Sequence, residues 1–151
     1  MRELSNRKET YFREFIRDTV KALPGAIELL SALHDAGYAQ ALASSTPLEN
    51  IELISKVLGL RRYISVLVSG EMVPRGKPAP DIFLKAATEL EVEPTRCLVI
   101  EDAVAGVEAA HAAGMRCIAV AGDRDLAGLR AAELMVKDLR EVTVERLREL
   151  A

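Results

Sequence analysis

The sequence predicts an α/β fold, a Rossmann-like three-layer sandwich in which helices cover both faces of a mostly parallel sheet. Short apolar runs alternate with segments of helical period from Tyr38 to the end of the chain. Nearly every position in these runs is apolar, as is typical of strands buried on both faces. Polar residues follow several of the runs, and in an open α/β sheet the ligand crevice lies at that carboxyl edge.

The expected elements follow one another in chain order. A helix over residues 6–23 begins with capping-box spacing between Asn6 and Glu9, and a second helix runs from Pro24 towards Gly37. Strands are expected at residues 39–43, 64–68, 97–100, 117–121 and 134–136. The helices between and after them are one with Thr46 as N-cap, one through residues 82–90, one through 103–114, a short one at 126–131 and a last one at 143–150.

Composition bounds the function. The chain has 151 residues, half of them apolar, which is enough for one domain with a sizeable core. The net charge of -3 gives no basic excess for nucleic acid or an anionic membrane surface, which favours a small or phosphorylated ligand. No apolar run approaches the roughly 18 residues of a membrane span and no secretory signal is recognisable, so a cytoplasmic protein is expected. Cys97 and Cys117 are interpreted as buried reduced thiols. His34 and His111 lie on predicted helices and are interpreted as surface or hydrogen-bonded residues.

Two adjacent carboxylates end one of the predicted strands. Glu101 and Asp102 follow the apolar run at residues 97–100 and precede an alanine-rich helix. Carboxylates fixed side by side repel each other, and a hard cation that prefers oxygen ligands relieves that repulsion. The pattern therefore indicates a Mg²⁺ site.

Hydroxyls and one cation are expected at the same edge. Ser44 and Ser45 stand between a buried strand and a helix start, where backbone N–H groups and the helix dipole favour a phosphate. Lys77 lies in a loop restricted by proline and glycine, from which its ammonium can point inward. Taken singly, a helix cap and a solvated lysine explain these residues. Together with the carboxylates they match the needs of phosphoryl transfer.

Three segments also carry a family resemblance. ALASSTP at 41–47, GKPAPDIF at 76–83 and VIEDAVAGVEAA at 99–110 resemble the second, third and fourth motifs of haloacid dehalogenase (HAD) superfamily hydrolases, in the phosphoglucomutase and phosphoglycolate phosphatase-like branch. The resemblance implies that Ser44 bonds the transferring phosphoryl group and that Lys77 offsets its charge. It also implies that Glu101 and Asp102 help to hold Mg²⁺.

The first motif of that family is absent from the sequence. It is an Asp-x-Asp-Gly-Thr segment that supplies the covalent nucleophile and the general acid and base. The resemblance then implies that residues 1–23 are a remnant of the helical cap and that 24–151 are the carboxyl-terminal part of the α/β core. An alternative is that Asp123-Arg124-Asp125 is the Asp-x-Asp of the first motif at a displaced position, although no Gly-Thr follows it. The chain is interpreted as a fragment that is inactive alone.

The resemblance also implies that a first strand belongs at the centre of the sheet, between the strands near Ala39 and Leu98. Its absence would leave two apolar strand edges without partners. Either the strands near Ala39 and Leu98 pair directly, or another chain supplies a strand, or the fragment is only partly stable. Self-association through this gap and the cap helix is therefore expected. The expected function is that of a Mg²⁺-dependent phosphatase acting on a small phosphorylated metabolite, such as a sugar phosphate or phosphoglycolate. The alternatives are a noncatalytic interaction module and a β-phosphoglucomutase-like phosphomutase.

Overall fold

The computed structural model describes residues 14–17 and 19–150. Helices and strands alternate along the chain as predicted. The helices are α1 (Ala26–Asp35), α2 (Leu48–Val57), α3 (Asp81–Glu89), α4 (Val104–Ala112) and α5 (Val144–Leu150), and the strands are β1 (Ala41–Ser44), β2 (Val66–Ser69), β3 (Leu98–Glu101), β4 (Arg116–Val120) and β5 (Leu134–Val136). Short 3-10 helices lie at Leu60–Arg62, Gly70–Met72, Pro94–Arg96, Ala127–Ala131 and Leu139–Glu141. Residues 14–17 and 19 are also helical.

Every strand pair is parallel, which confirms the predicted sheet type. β1 pairs with β2, with Ser44 opposite Ser69, and β3, β4 and β5 form a second sheet in that order. In the part of the chain that the structure describes, no hydrogen-bonded ladder joins β1 to β3. Direct pairing of these two strands, one of the expected outcomes, is therefore not observed.

Strand β4 shows the three layers most clearly. Cys117 and Ala119 face one hydrophobic cluster, which contains residues of α3 and α4. Ile118 and Val120 face another, which contains residues of α1 and α5. Successive residues of a strand point to opposite faces, so helices cover both sides of this sheet as predicted. The first cluster also includes Val68 of β2, so the two sheets share one core.

The strands lie within two residues of their predicted positions.

The prediction of Thr46 as the N-cap of α2 is wrong. Pro47 is the N-cap, and its side chain makes no hydrogen bond to a helix amide. The Oε2 atom of Glu71 accepts a hydrogen bond of 3.1 Å from Leu48 N instead. The peptide of Thr46 is held on both sides, its N–H by Ser44 Oγ at 3.2 Å and its carbonyl by Ser69 Oγ at 2.8 Å.

The short helix predicted at residues 126–131 is a 3-10 helix over Ala127–Ala131. A β-carbon built on Gly128 would overlap the side chain of Val104, so this segment packs closely against α4. Cys97 lies immediately before β3 and not inside it.

The first predicted helix is described only in part. Asn6 and Glu9 lie outside the described residues, and the division of the chain at residues 23 and 24 stays a prediction. Ile16 is buried, whereas the side chains of Phe15 and Leu23 are 65% and 60% exposed. Within residues 14–17 and 19–150, the helices are too short or too polar to cross a membrane.

Candidate functional site

The fold brings four of the predicted site residues to the carboxyl ends of two strands. Ser44 is the last residue of β1 and Glu101 is the last residue of β3, with Ser45 and Asp102 directly after them. Lys77 lies in the loop between β2 and α3 and contacts Glu101. The contact between Lys77 and Glu101 therefore joins the loop after β2, a strand of the first sheet, to the end of β3, a strand of the second sheet.

Lys77 and Glu101 form a mostly buried ion pair. Lys77 Nζ donates to Glu101 Oε1, and the two side chains are 13% and 9% exposed. The ammonium also lies 4.8 Å from the ring centroid of Phe83, in the range of a cation–π interaction. Burial of a lone charge is costly, so each partner requires the other.

Glu101 is further fixed by the backbone. Its Oε2 atom accepts hydrogen bonds from Asp102 N at 3.0 Å and from Ala103 N at 3.3 Å. The carboxyl group lies against Gly106 of α4, where a β-carbon would overlap it. The start of α4 therefore forms a slot that fits this carboxylate.

Asp102 points into a different environment. Its side chain is 66% exposed, and Oδ2 lies 3.7 Å from Arg124 Nη2. Arg124 also donates to the carbonyl oxygens of Asp102 at 2.9 Å, Val120 at 3.2 Å and Ala121 at 3.1 Å. Arg124 thus ties the loop after β4 to the end of β3, a role that was not predicted. The only sequence signal for this role of Arg124 is its position between Asp123 and Asp125 in the loop after β4.

The turn after β1 is held by the turn after β2. Ser69 and Glu71 bond Thr46 and Leu48 respectively, and Gly70 lies against the backbone of Ser45. None of these three residues was predicted at the site. The signal that could have found Ser69 is its position as the serine that ends the strand next to β1.

The displaced motif does not carry free carboxylates. Asp123 pairs with Lys137 at 2.8 Å and Asp125 pairs with Arg130 at 2.6 Å, and their side chains are 89% and 79% exposed. The hydrogen bond from Lys137 lowers the pKa of Asp123 below its ordinary value. This arrangement is typical of a charged surface loop.

Among the described residues, the hydrogen bonds and ring contacts of the cysteines and histidines go to residues other than the predicted site residues. Both cysteines are free thiols, and burial raises the pKa of Cys117 to about 12, which keeps it protonated and unreactive. His111 Nε2 lies 3.2 Å from Glu133, and His34 contacts the ring of Tyr63 edge-on.

The donor set at Glu101 and Asp102 suits Mg²⁺. This ion is commonly held by one or two carboxylates together with water and substrate phosphate oxygens. The two oxygens of a carboxylate offer about four lone-pair positions. In Glu101 three of them accept hydrogen bonds, from Lys77 Nζ and from the amides of Asp102 and Ala103. Asp102 offers a carboxylate that is open to solvent. Among the residues that the structure describes, no cluster of three or more histidine, cysteine, aspartate or glutamate side chains supplies a complete metal cage.

Comparison with known proteins gives a consistent result. Residues 2–114 match a family model described as haloacid dehalogenase-like hydrolase. The chain is 36% identical over 151 residues to the chloroplastic 5-amino-6-(5-phospho-D-ribitylamino)uracil phosphatase of Arabidopsis thaliana, which is 100% of this chain and 40% of that protein. It is 41% identical over 125 residues to hexitol phosphatase A of Escherichia coli, which is 83% of this chain and 57% of that protein.

Solved structures support the same fold. The crystal structure of β-phosphoglucomutase from Clostridium difficile superposes with a TM-score of 0.87 at 27% identity, over 97% of this chain and 65% of that one. The chain therefore spans less than two thirds of the length of each of these proteins.

Proposed function

The chain belongs to the haloacid dehalogenase-like hydrolases, and we propose that it supplies the phosphate- and metal-binding part of a Mg²⁺-dependent phosphatase for a small phosphorylated metabolite. The observation that carries the proposal is the mostly buried Lys77–Glu101 pair, next to the exposed carboxylate of Asp102. Ser44 and Ser45 lie at the carboxyl end of β1, in the neighbouring sheet. A fixed cation, hydroxyl donors and carboxylates together meet the needs of phosphoryl transfer. Relatives named as phosphatases of phosphorylated small molecules support the substrate class.

We propose a role for each residue from the family resemblance and from its surroundings. Ser44 and Ser45 would donate hydrogen bonds to phosphoryl oxygens, and Lys77 would offset their negative charge. Glu101 fixes the position of Lys77 and, with Asp102, would hold Mg²⁺. When bound, Mg²⁺ would stabilise the charge on the phosphoryl oxygens, as it generally does in phosphatases of this family.

The covalent nucleophile is proposed to come from outside these 151 residues. The sequence contains no Asp-x-Asp-Gly-Thr segment, and the Asp123 and Asp125 carboxylates are paired on an exposed loop. Hydrolysis of p-nitrophenyl phosphate with Mg²⁺ tests this assignment. We expect no turnover by the purified chain. Turnover that is lost in Lys77→Ala or Asp102→Asn would contradict it, because the nucleophile would then lie within the chain.

A second candidate function is assembly with another chain. The edge of β1 away from β2 and the edge of β3 away from β4 have no strand partner among the described residues. Ile100 of β3 is 36% exposed, and Phe15 and Leu23 expose more than half of their side chains. Unpaired strand edges and apolar surface favour strand addition or self-association. Light scattering at micromolar concentration tests this candidate, and a monomeric mass would count against it.

A phosphomutase remains the variant of the same chemistry, since the chain is similar to a β-phosphoglucomutase over most of its length. Both reactions would use the phosphate contacts of Ser44, Ser45 and Lys77. They differ in whether water or a sugar hydroxyl accepts the phosphoryl group. Assays of the full-length protein with a sugar phosphate, which separate isomerised product from free phosphate, distinguish the two.

A further inference from the structure

We propose that Ser69, Gly70 and Glu71 are positioning residues that hold the phosphate-binding turn of residues 44–46 and the start of α2 against the end of β2. This inference rests on the proposed function and adds to it the residues that shape the phosphate site. The three residues form the turn that ends β2, and they contact the neighbouring turn in three independent ways. They are called the β2 clamp below.

The first contact is a buried hydroxyl. Ser69 is 0% exposed, and its Oγ atom donates to Thr46 O at 2.8 Å while it accepts from Glu71 N at 3.2 Å. Both the donor and an acceptor site of this hydroxyl are therefore used inside the protein. An alanine at this position would leave the Thr46 carbonyl and the Glu71 amide without that partner.

The second contact is a close backbone approach. A β-carbon built on Gly70 would lie 3.2 Å from both the Cα and the carbonyl oxygen of Ser45. Both of these atoms belong to the backbone, so they cannot yield without displacing the turn itself. Glycine at this position allows the two turns to pack against each other.

The third contact places a negative charge at the start of α2. Glu71 Oε2 accepts from Leu48 N at 3.1 Å, and a carboxylate is favoured at a helix N-terminus. Because the chain's own carboxylate occupies this donor, a phosphate is directed to the donors of Ser44 and Ser45 and to Lys77. The charge of Glu71 also repels a bound phosphate.

Two substitutions of Glu71 separate positioning from charge. Glu71→Gln and Glu71→Ala both remove the negative charge, but only glutamine can still accept a hydrogen bond from Leu48 N. Glu71 is exposed, so neither change disturbs the core. Glu149→Gln, at an exposed position on α5, is the matched control for loss of one charge.

The measurement is a titration of the ¹⁵N-labelled 151-residue chain with inorganic phosphate, followed at the amides of Ser44 and Ser45. We expect Glu71→Gln to bind phosphate about twofold more tightly than the unchanged chain, because a like charge is removed. We expect Glu71→Ala to bind about three- to tenfold more weakly than Glu71→Gln, because the turn loses one hydrogen bond. Ser69→Ala should weaken phosphate binding relative to the unchanged chain, and Glu149→Gln should leave it unchanged.

Hydrogen exchange of the Leu48 amide without phosphate provides a second readout. It should be faster in Glu71→Ala than in Glu71→Gln. Equal phosphate affinities and equal Leu48 exchange in these two variants would overturn the β2 clamp. If phosphate causes no change at Ser44 or Ser45 in the unchanged chain, the proposed phosphate site is wrong, whereas the Leu48 comparison still decides whether the clamp exists.

Discussion

The carboxyl group of Glu101 occupies the space into which a side chain at Gly106 would project. Gly106 lies in the first turn of α4, three residues after the N-cap Ala103, and it is buried. A glycine inside a helix is less favourable than alanine by about 1 kcal/mol, so its presence requires a compensating reason. That reason is the slot in which Glu101 accepts hydrogen bonds from Lys77 and two amides.

Gly106→Ala is therefore expected to destabilise the protein by about 1–3 kcal/mol, as overpacking of a filled site does. In a Glu101→Ala background the added methyl group has room, and the same change should be neutral or stabilising by up to about 1 kcal/mol. The free energy of unfolding in urea, measured for the four members of this double-mutant cycle, checks the prediction. An equal loss in both backgrounds would show that Gly106 has another role.

Asp102→Asn is expected to weaken Mg²⁺ binding about tenfold. The unchanged chain should itself bind Mg²⁺ with a dissociation constant of about 1 mM or weaker, because two carboxylates supply few ligands and Glu101 is already bonded to three donors. Isothermal titration calorimetry measures both values. Asp123→Asn is the control, since Asp123 is paired with Lys137 on an exposed loop.

Tight stoichiometric Mg²⁺ binding by the unchanged chain would contradict this prediction. A loss of Mg²⁺ binding in Asp123→Asn would support the alternative that Asp123-Arg124-Asp125 is a displaced first motif, because the loop after β4 would then contribute a metal ligand.

Glu133→Ala is expected to lower the free energy of unfolding at neutral pH by about 1 kcal/mol. Glu133 Oε2 accepts from Cys117 N at 2.7 Å, and the carboxylate lies beside His111. Partial burial raises the pKa of Glu133, but the hydrogen bonds from Cys117 and His111 outweigh it, so that the pKa lies below the ordinary value of 4.5. The side chain is 35% exposed, which keeps the effect small.

The pH dependence follows from the lowered pKa. The stabilisation by Glu133 is fully present above its ordinary pKa, and it is lost as the pH falls below 4.5 through the folded value. The difference in unfolding free energy between the unchanged chain and Glu133→Ala should therefore shrink in acid. A difference that stays constant from neutral pH to pH 3 would show that the carboxylate charge contributes nothing.

Much of the fold could be predicted because its signals are local. The apolar run at residues 97–100 gave β3 to within one residue, and the pattern around Ile82 and Phe83 gave the buried face of α3. The family motifs placed Lys77 and Glu101 in one site, and the structure joins them in an ion pair.

The remaining features depend on contacts between distant segments. Thr46 has the residue type and spacing of a helix cap, yet Glu71 caps α2 from 23 residues away. The different surroundings of Glu101 and Asp102 were also not predicted, because they depend on Lys77 and Arg124, which lie 24 and 22 residues away along the chain. Sequence spacing alone does not show which of several donors reaches a carboxylate.

The central claim is that phosphate and Mg²⁺ bind one site at the ends of β1 and β3, and the coupling between their affinities tests it most directly. The measurement is the dissociation constant of inorganic phosphate for the 151-residue chain, with and without Mg²⁺, in the unchanged chain and in Asp102→Asn. We predict that Mg²⁺ tightens phosphate binding about fivefold or more, and that Asp102→Asn removes this gain while phosphate still binds. A phosphate affinity that is independent of Mg²⁺ in the unchanged chain would contradict the claim.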